Sequence, residues 1–222
     1  MQMPFTERQF LELFRVYNNA IWPAQLAAYL LGLVCVFVLI ARPRWYFSFL
    51  LWSLALFWLW NGIAYHWIHF RAINPAATMF AAMVVGQALL LAGYALKRIP
   101  DRKTSSLGQI AGWVMVAYAM AGYAVLGQVL GHTYPANPVF GVAPCPTTIF
   151  TFGVLSLLGT AVPRRLLVIP VIWALIGTSA ALTLGMREDI ALPVAAILAI
   201  WIRLSHGKRA PILIDSGSVA SR

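Results

Sequence analysis

Seven stretches of this chain are almost purely apolar: residues 24–41, 45–65, 75–96, 107–130, 145–162, 166–185 and 190–204. A helix needs about 20 apolar residues to cross the hydrocarbon of a bilayer, and most of these runs come close to that length. Hydrocarbon offers backbone N–H and C=O groups no partner, so a chain that enters it must satisfy its own hydrogen bonds. The runs are therefore expected as helices. Charged residues make up only 10% of the chain, against roughly 25% in an average soluble one. The expected fold class is all-α, a polytopic membrane bundle of seven transmembrane helices with the lipid bilayer as its first partner.

The seventh run is the shortest and contains Pro193. Its ends support it, because Glu188 and Asp189 suit a helix N-terminus and Arg203 can snorkel from the other end. Charge placement requires it as well. The segments 42–44, 97–103, 164–165 and 203–222 hold 12 of the 16 Lys and Arg residues, while the other side holds only Arg8, Arg15, Arg71 and Arg187. The positive-inside rule then puts the N-terminus outside and the C-terminus in the cytoplasm. The net charge of +10 is a topology signal, and no nucleic-acid partner is expected. Glu7 and Glu12 stand where a signal peptide carries basic residues, so no cleavable signal is expected. Cys35 and Cys145 are too few for a disulfide framework and are expected as thiols.

Three segments follow from this pattern. Residues 1–23 read as an interfacial amphipathic helix, 24–204 as the seven-helix domain and 205–222 as a cytoplasmic tail. In the first, Thr6 and Gln9 have the spacing of a capping box. Phe10, Leu13, Phe14, Tyr17 and Ile21 fall on one face, opposite Arg8, Glu12, Arg15 and Asn19. Such a helix either anchors the bundle at the interface or forms a lid over an outward cavity. The aromatic-rich second run is expected at the periphery. Small residues in the fourth run (Gly108, Gly112, Ala117, Ala121) and the sixth (Gly177, Ser179, Ala180, Ala181) place those two at the centre.

Residues 131–148, GHTYPANPVFGVAPCPTT, break the apolar pattern without a single Lys, Arg, Asp or Glu. Four prolines make this a stiff, shaped piece of backbone rather than a tether. Pro146 suits the first position of a helix, which would make Cys145 its N-cap. A helix N-terminus favours an anion, so the thiolate is expected to be stabilised there.

Topology gathers His66, His69, His132, Cys145, Glu188 and Asp189 on the outer face. His66 and His69, three apart, share a face of an α-helix. Together with His132 and Cys145 they could supply four ligands to a tetrahedral zinc or to copper. The alternative for the histidines is interfacial residues bonded to water, headgroups and backbone. The alternative for Cys145 is a small buried residue at a tight helix entry. Absences exclude other classes: with no Lys inside a run there is no retinal Schiff base, and with no acid or base near mid-membrane the charged relay of a proton pump is missing.

The segments GHTYP…NPVFG…PCPTTIFTFG, YH…INPAA and FTERQFLELFRVYNNAIWPAQ resemble a bacterial family of small multi-pass inner-membrane proteins catalogued only as a domain of unknown function. The resemblance runs to about Arg203 and is most specific at PCPTTIFTFG. It implies a membrane fold in the bacterial inner membrane and implies no reaction. Three functions are consistent with the sequence. The first is an outward-facing site that binds or passes a small solute such as a soft metal ion. The second is a membrane enzyme with the Cys145 thiolate as nucleophile or redox centre and a histidine as base. The third is a non-catalytic subunit whose stiff outer segment docks a periplasmic partner.

Overall fold

A computed structural model gives the fold, describing residues 4–97, 104–159 and 162–205. The tail beyond residue 205, with His206, and the basic residues Arg98, Arg102 and Lys103 lie outside the described residues. The described chain is helical. In order it forms α1 (Glu7–Ala20), α2 (Ala24–Ala41), α3 (Tyr46–Trp60), α4 (Ala77–Ala95), α5 (Ser106–Ala117), α6 (Tyr123–Val129), α7 (Pro144–Leu157), α8 (Val168–Leu184) and α9 (Ala191–Ser205). Two π-helical turns extend this set. Asn61–His69 continues α3, and Tyr118–Gly122 joins α5 to α6.

Five helical stretches are long and apolar enough to cross a membrane: Ala24–Ala41, Tyr46–Ala72, Ala77–Ala95, Ser106–Val129 and Arg164–Leu184. The helices at the other two apolar runs are shorter, 14 residues in α7 and 15 in α9. Side chains pointing away from the bundle are as apolar as those inside it. Leu30, Phe37, Ile40, Leu89, Leu175 and Leu182 are each well exposed. An outer surface of this kind demands an apolar partner, which lipid supplies.

The centre of the bundle differs from the sequence expectation. Every residue of α7 from Pro144 to Leu157 is buried, so the fifth run, not the fourth and sixth, is the axis. Both small-residue runs make a close approach, the sixth through Gly177, where a Cβ would lie 2.9 Å from Leu192 Cδ1 of α9, and the fourth through Gly112. A Cβ on Gly153 of α7 would lie 2.9 Å from the Gly112 carbonyl oxygen and 3.0 Å from the Val116 nitrogen of α5. That contact is backbone against backbone, and neither side can yield. The hydroxyls of Thr178, Ser179 and Thr183 in α8 bond back to their own helix. The aromatic second run is more buried than expected, with Leu50, Leu51, Leu54, Phe57 and Trp58 of α3 in the core. Trp58 Nε1 donates to Thr151 Oγ1 of α7 at 2.9 Å, which spends its polar edge inside.

Residues 131–143 do not skirt the bundle; they enter it. From Asn137 onward the segment is buried, and its irregular backbone needs partners that a helix would have supplied internally. Side chains provide them. Asn18 Nδ2 donates to the carbonyls of Pro135 (2.7 Å) and Asn137 (2.8 Å), and Asn61 Nδ2 to Gly141 (3.0 Å). Tyr17 donates its hydroxyl to Val142 O at 2.7 Å and accepts from Trp60 Nε1 at 2.9 Å. Gly141 has φ +78°, and a Cβ there would meet Ala28 Cβ at 2.7 Å, so only glycine lets the chain pass. The capping box forms, with Gln9 N bonded to Thr6 Oγ1 and Thr6 N to Gln9 Oε1. Phe10, Leu13, Phe14 and Tyr17 of α1 are buried against this segment and the π turn, so α1 is a cap over the α1 end of the bundle.

The α5–α7 contact gives a direct test. Gly153→Val should overpack that contact at a cost on the order of 1–3 kcal/mol and lower the melting temperature in mild detergent. Gly93→Val, at an open position on α4 with nothing within 4 Å of a Cβ, should leave it almost unchanged.

Candidate functional site

The four residues expected to bind metal do not converge. The π turn is the reason. Its i→i+5 hydrogen bonds widen the helix, so residues three apart no longer share a face. His66 turns fully inward, while His69 stays partly exposed with Nδ1 2.7 Å from Ala64 O. His132 pairs elsewhere, and among the described residues no three His, Cys, Asp or Glu side chains are grouped as a metal ion requires.

Cys145 also departs from its expected position. Ala143, with extended backbone at φ −112° and ψ 144°, is the N-cap of α7, and Pro144 takes the first helical position. Cys145 is second and Pro146 third, so both prolines sit where a missing N–H costs nothing. The buried thiol lies beside the Asp189 carboxylate and close to Trp173. Among the described residues no hydrogen bond is seen between it and a histidine.

What the fold does assemble is a buried acid site. α8 ends at Gly185 in the left-handed region, and a 3-10 turn, Arg187–Ile190, then leads into α9. That turn carries Glu188 and Asp189, which are 0% and 3% exposed. The π turn Tyr118–Gly122 brings two tyrosines five apart onto the same side to meet it. Tyr118 donates to the Glu188 carbonyl at 2.8 Å, and Tyr123 donates to Asp189 Oδ1 at 2.5 Å. His132 Nδ1 lies 2.7 Å from Glu188 Oε1, and its Nε2 lies 3.8 Å from Oε1 of the exposed Glu7 on α1. A line of titratable groups therefore runs from the surface, Glu7, through His132 to Glu188 and its neighbour Asp189.

Burial pushes the Asp189 carboxyl up to about 7. The Tyr123 hydrogen bond opposes the rise, the Glu188 charge adds to it, and the Cys145 thiol and His132 oppose it more weakly. Next to this cluster lies a second set of polar atoms without partners. Glu188 Oε2, both ring nitrogens of His66 and Trp173 Nε1 are buried with no hydrogen bond. His66 and Trp173 pack edge to face with centroids 4.9 Å apart.

The sequence places Glu188 and Asp189 at the start of a helix, and they lie on the turn that leads into α9. Their inward turn was missed, and Tyr118, Tyr123 and Trp173 were missed altogether. A pair of acids between two apolar runs was the available signal. The tyrosines gave none, because a five-residue spacing marks a shared face only once a π turn is known.

The chain belongs to the family of unknown function DUF6064, whose pattern matches residues 7–212. No curated protein and no solved structure matches it.

The pH dependence of stability follows with a definite sign. A carboxyl whose folded pKa is raised from 3.8 to about 7 favours the folded state at low pH, and that contribution is lost as pH rises from about 4 to about 7. Wild-type protein in detergent should therefore melt lower at pH 8 than at pH 5. Asp189→Asn keeps an acceptor for Tyr123 without the charge and should remove much of the difference. Equal pH profiles for the two proteins would contradict the assignment.

Proposed function

We propose that this is a seven-span protein of the bacterial inner membrane, N-terminus outside, that binds protons from the outer compartment at the Glu188–Asp189 turn. The charge on that turn then controls how firmly the α1 cap is held. The observation that carries the reading is the line from exposed Glu7 through His132 to the buried carboxylate pair. The small solute of the outward site is then the proton rather than a soft metal ion, in keeping with the failure of His66, His69, His132 and Cys145 to converge.

The span count and orientation rest on two supports. α7 and α9 occupy the two shorter apolar runs, and with them the helices alternate between two ends of different charge. The α1 end carries Glu7, Glu12, Glu188 and Asp189 together with Arg8, Arg15, Arg71 and Arg187, a balanced set; the other end carries Arg42, Arg44, Lys97, Arg164, Arg165 and Arg203. The mid-bundle polar groups, Ser53, Thr151 and Gln87, are uncharged and each bonds within the protein. Protons would accordingly enter and leave from one side, and the site is a sensor rather than a pump.

Coupling to α1 has a physical basis in charge. Several groups surround Asp189: Glu188 on its own turn, Tyr118 and Tyr123 from α5–α6, His132 from the irregular segment, Cys145 from α7 and Tyr65 from the π turn. With Asp189 protonated the turn carries one charge fewer, and His132 stands between Glu7 and Glu188. With Asp189 ionised, two adjacent carboxylates share one apolar site, and repulsion and desolvation both act against the closed form. His132 belongs to the segment that α1 covers, so loosening the turn loosens the cap.

Hydrogen–deuterium exchange, corrected for its intrinsic pH dependence, tests this. Residues 7–20 and 131–143 should be protected at pH 6 and less so at pH 8.5 in wild-type protein, and should stay protected at both in Asp189→Asn. Protection that is independent of pH in the wild type would remove the proton-binding function.

A further inference from the structure

We infer that the groove between α2 and α5 at the basic end holds a phospholipid. Arg42 binds the phosphate, Gln109 and Trp113 bind the ester oxygens, and one acyl chain lies along Leu39, Ile40 and Leu157. The groove has a volume of about 470 Å³, and these six residues line it. Its polarity falls from the rim inward. Arg42 stands just past the last residue of α2, and Leu39 lies almost one turn deeper on the same helix. Gln109 and Trp113, four apart, share a face of α5 and are separated by about 6 Å along its axis. Leu157, the last residue of α7, adds an apolar wall. Phe37 and Ile40 of α2 and Ile110 and Val114 of α5 are well exposed, so both flanking helices present apolar surface to the medium outside the bundle.

Hydrogen bonding selects the occupant. Among the described residues the side chains of Arg42, Gln109 and Trp113 make no hydrogen bond or ion pair, and the Arg42 guanidinium only approaches the Tyr46 ring, 5.9 Å from its centroid. Water would satisfy such groups on a soluble surface, but donors at the edge of hydrocarbon need acceptors there. A guanidinium, an amide and an indole together offer many N–H donors and a single acceptor, the amide oxygen. The phosphodiester and the two esters of a phospholipid are acceptors alone, and they follow one another inward from the surface. Guanidinium groups match phosphate oxygens in geometry as well as charge, and indoles favour the interface because one edge is polar. The backbone marks the same position. Arg42 lies in the left-handed region, φ 46° and ψ 52°, which glycine or asparagine usually fills at a helix end. An arginine there is strained, and phosphate binding by its side chain offsets that strain. A free phosphate would engage Arg42 but leave Leu39, Ile40 and Leu157 uncovered. A diacylglycerol would cover them but leave the guanidinium unmatched. The inference rests on a membrane location and not on the proton site.

Native mass spectrometry of the detergent-purified protein, titrated with phosphatidylethanolamine and with a diacylglycerol of the same chains, tests it. The phospholipid should bind at least about tenfold tighter. Arg42→Gln should weaken phosphatidylethanolamine by about fivefold and leave diacylglycerol unchanged. Trp113→Phe, which removes only the indole N–H, should weaken both lipids, because both carry the esters. Ile40→Trp, which adds bulk at the groove, should also weaken both while the helical circular dichroism is unchanged. Equal affinity for the two lipids, or an Arg42→Gln variant that binds phosphatidylethanolamine as the wild type does, would overturn the site. Full displacement of the lipid by millimolar inorganic phosphate would overturn it too, by identifying a small-anion site. Protein that stays monodisperse without detergent would instead overturn the membrane location, and the site with it.

Discussion

Irregular backbone cannot sit inside an apolar bundle unless something bonds to it, and that constraint organises this molecule. Residues 137–143 are buried and non-helical, so their carbonyls need donors from elsewhere in the chain. Asn18, Asn61 and Tyr17 are those donors, and two of the three come from α1. An unmet buried carbonyl costs on the order of 1–3 kcal/mol, enough to decide whether the cap is in place. The cap is therefore built into the fold, and what it covers leads directly to His132.

The same reasoning explains why the acids can be inside. An isolated buried carboxylate would be intolerable, but the turn at 187–190 meets two tyrosine hydroxyls and a histidine. Satisfaction is incomplete, since Glu188 Oε2 has no partner. A site that is nearly but not fully compensated changes its preference with one proton, which is the property a pH-responsive element needs. Cys145 is buried beside Asp189 at the second position of α7.

Much of the architecture was legible from residue patterns. The apolar runs marked where helices form, and the Thr6–Gln9 capping box is present at the start of α1. The stiffness of 131–148 was visible in its prolines. The error came from assuming regular helices. His66 and His69 share a face only in an α-helix, and a π turn separated them; Tyr118 and Tyr123 share a face only because of another. Centrality was misread for a related reason. Small residues mark close approach without naming the partner: Gly112 meets Gly153 of α7, and Gly177 meets Leu192 of α9. In a chain this apolar, hydrophobicity separates membrane from water but says little about inside and outside.

Infrared difference spectroscopy of the purified protein reads the protonation of Asp189 itself. The account predicts a protonated carboxylic-acid band that persists until pH reaches about 7 and is missing in Asp189→Asn. A wild-type spectrum in which every carboxyl has lost its proton by about pH 5, the ordinary range for exposed acids, would contradict it.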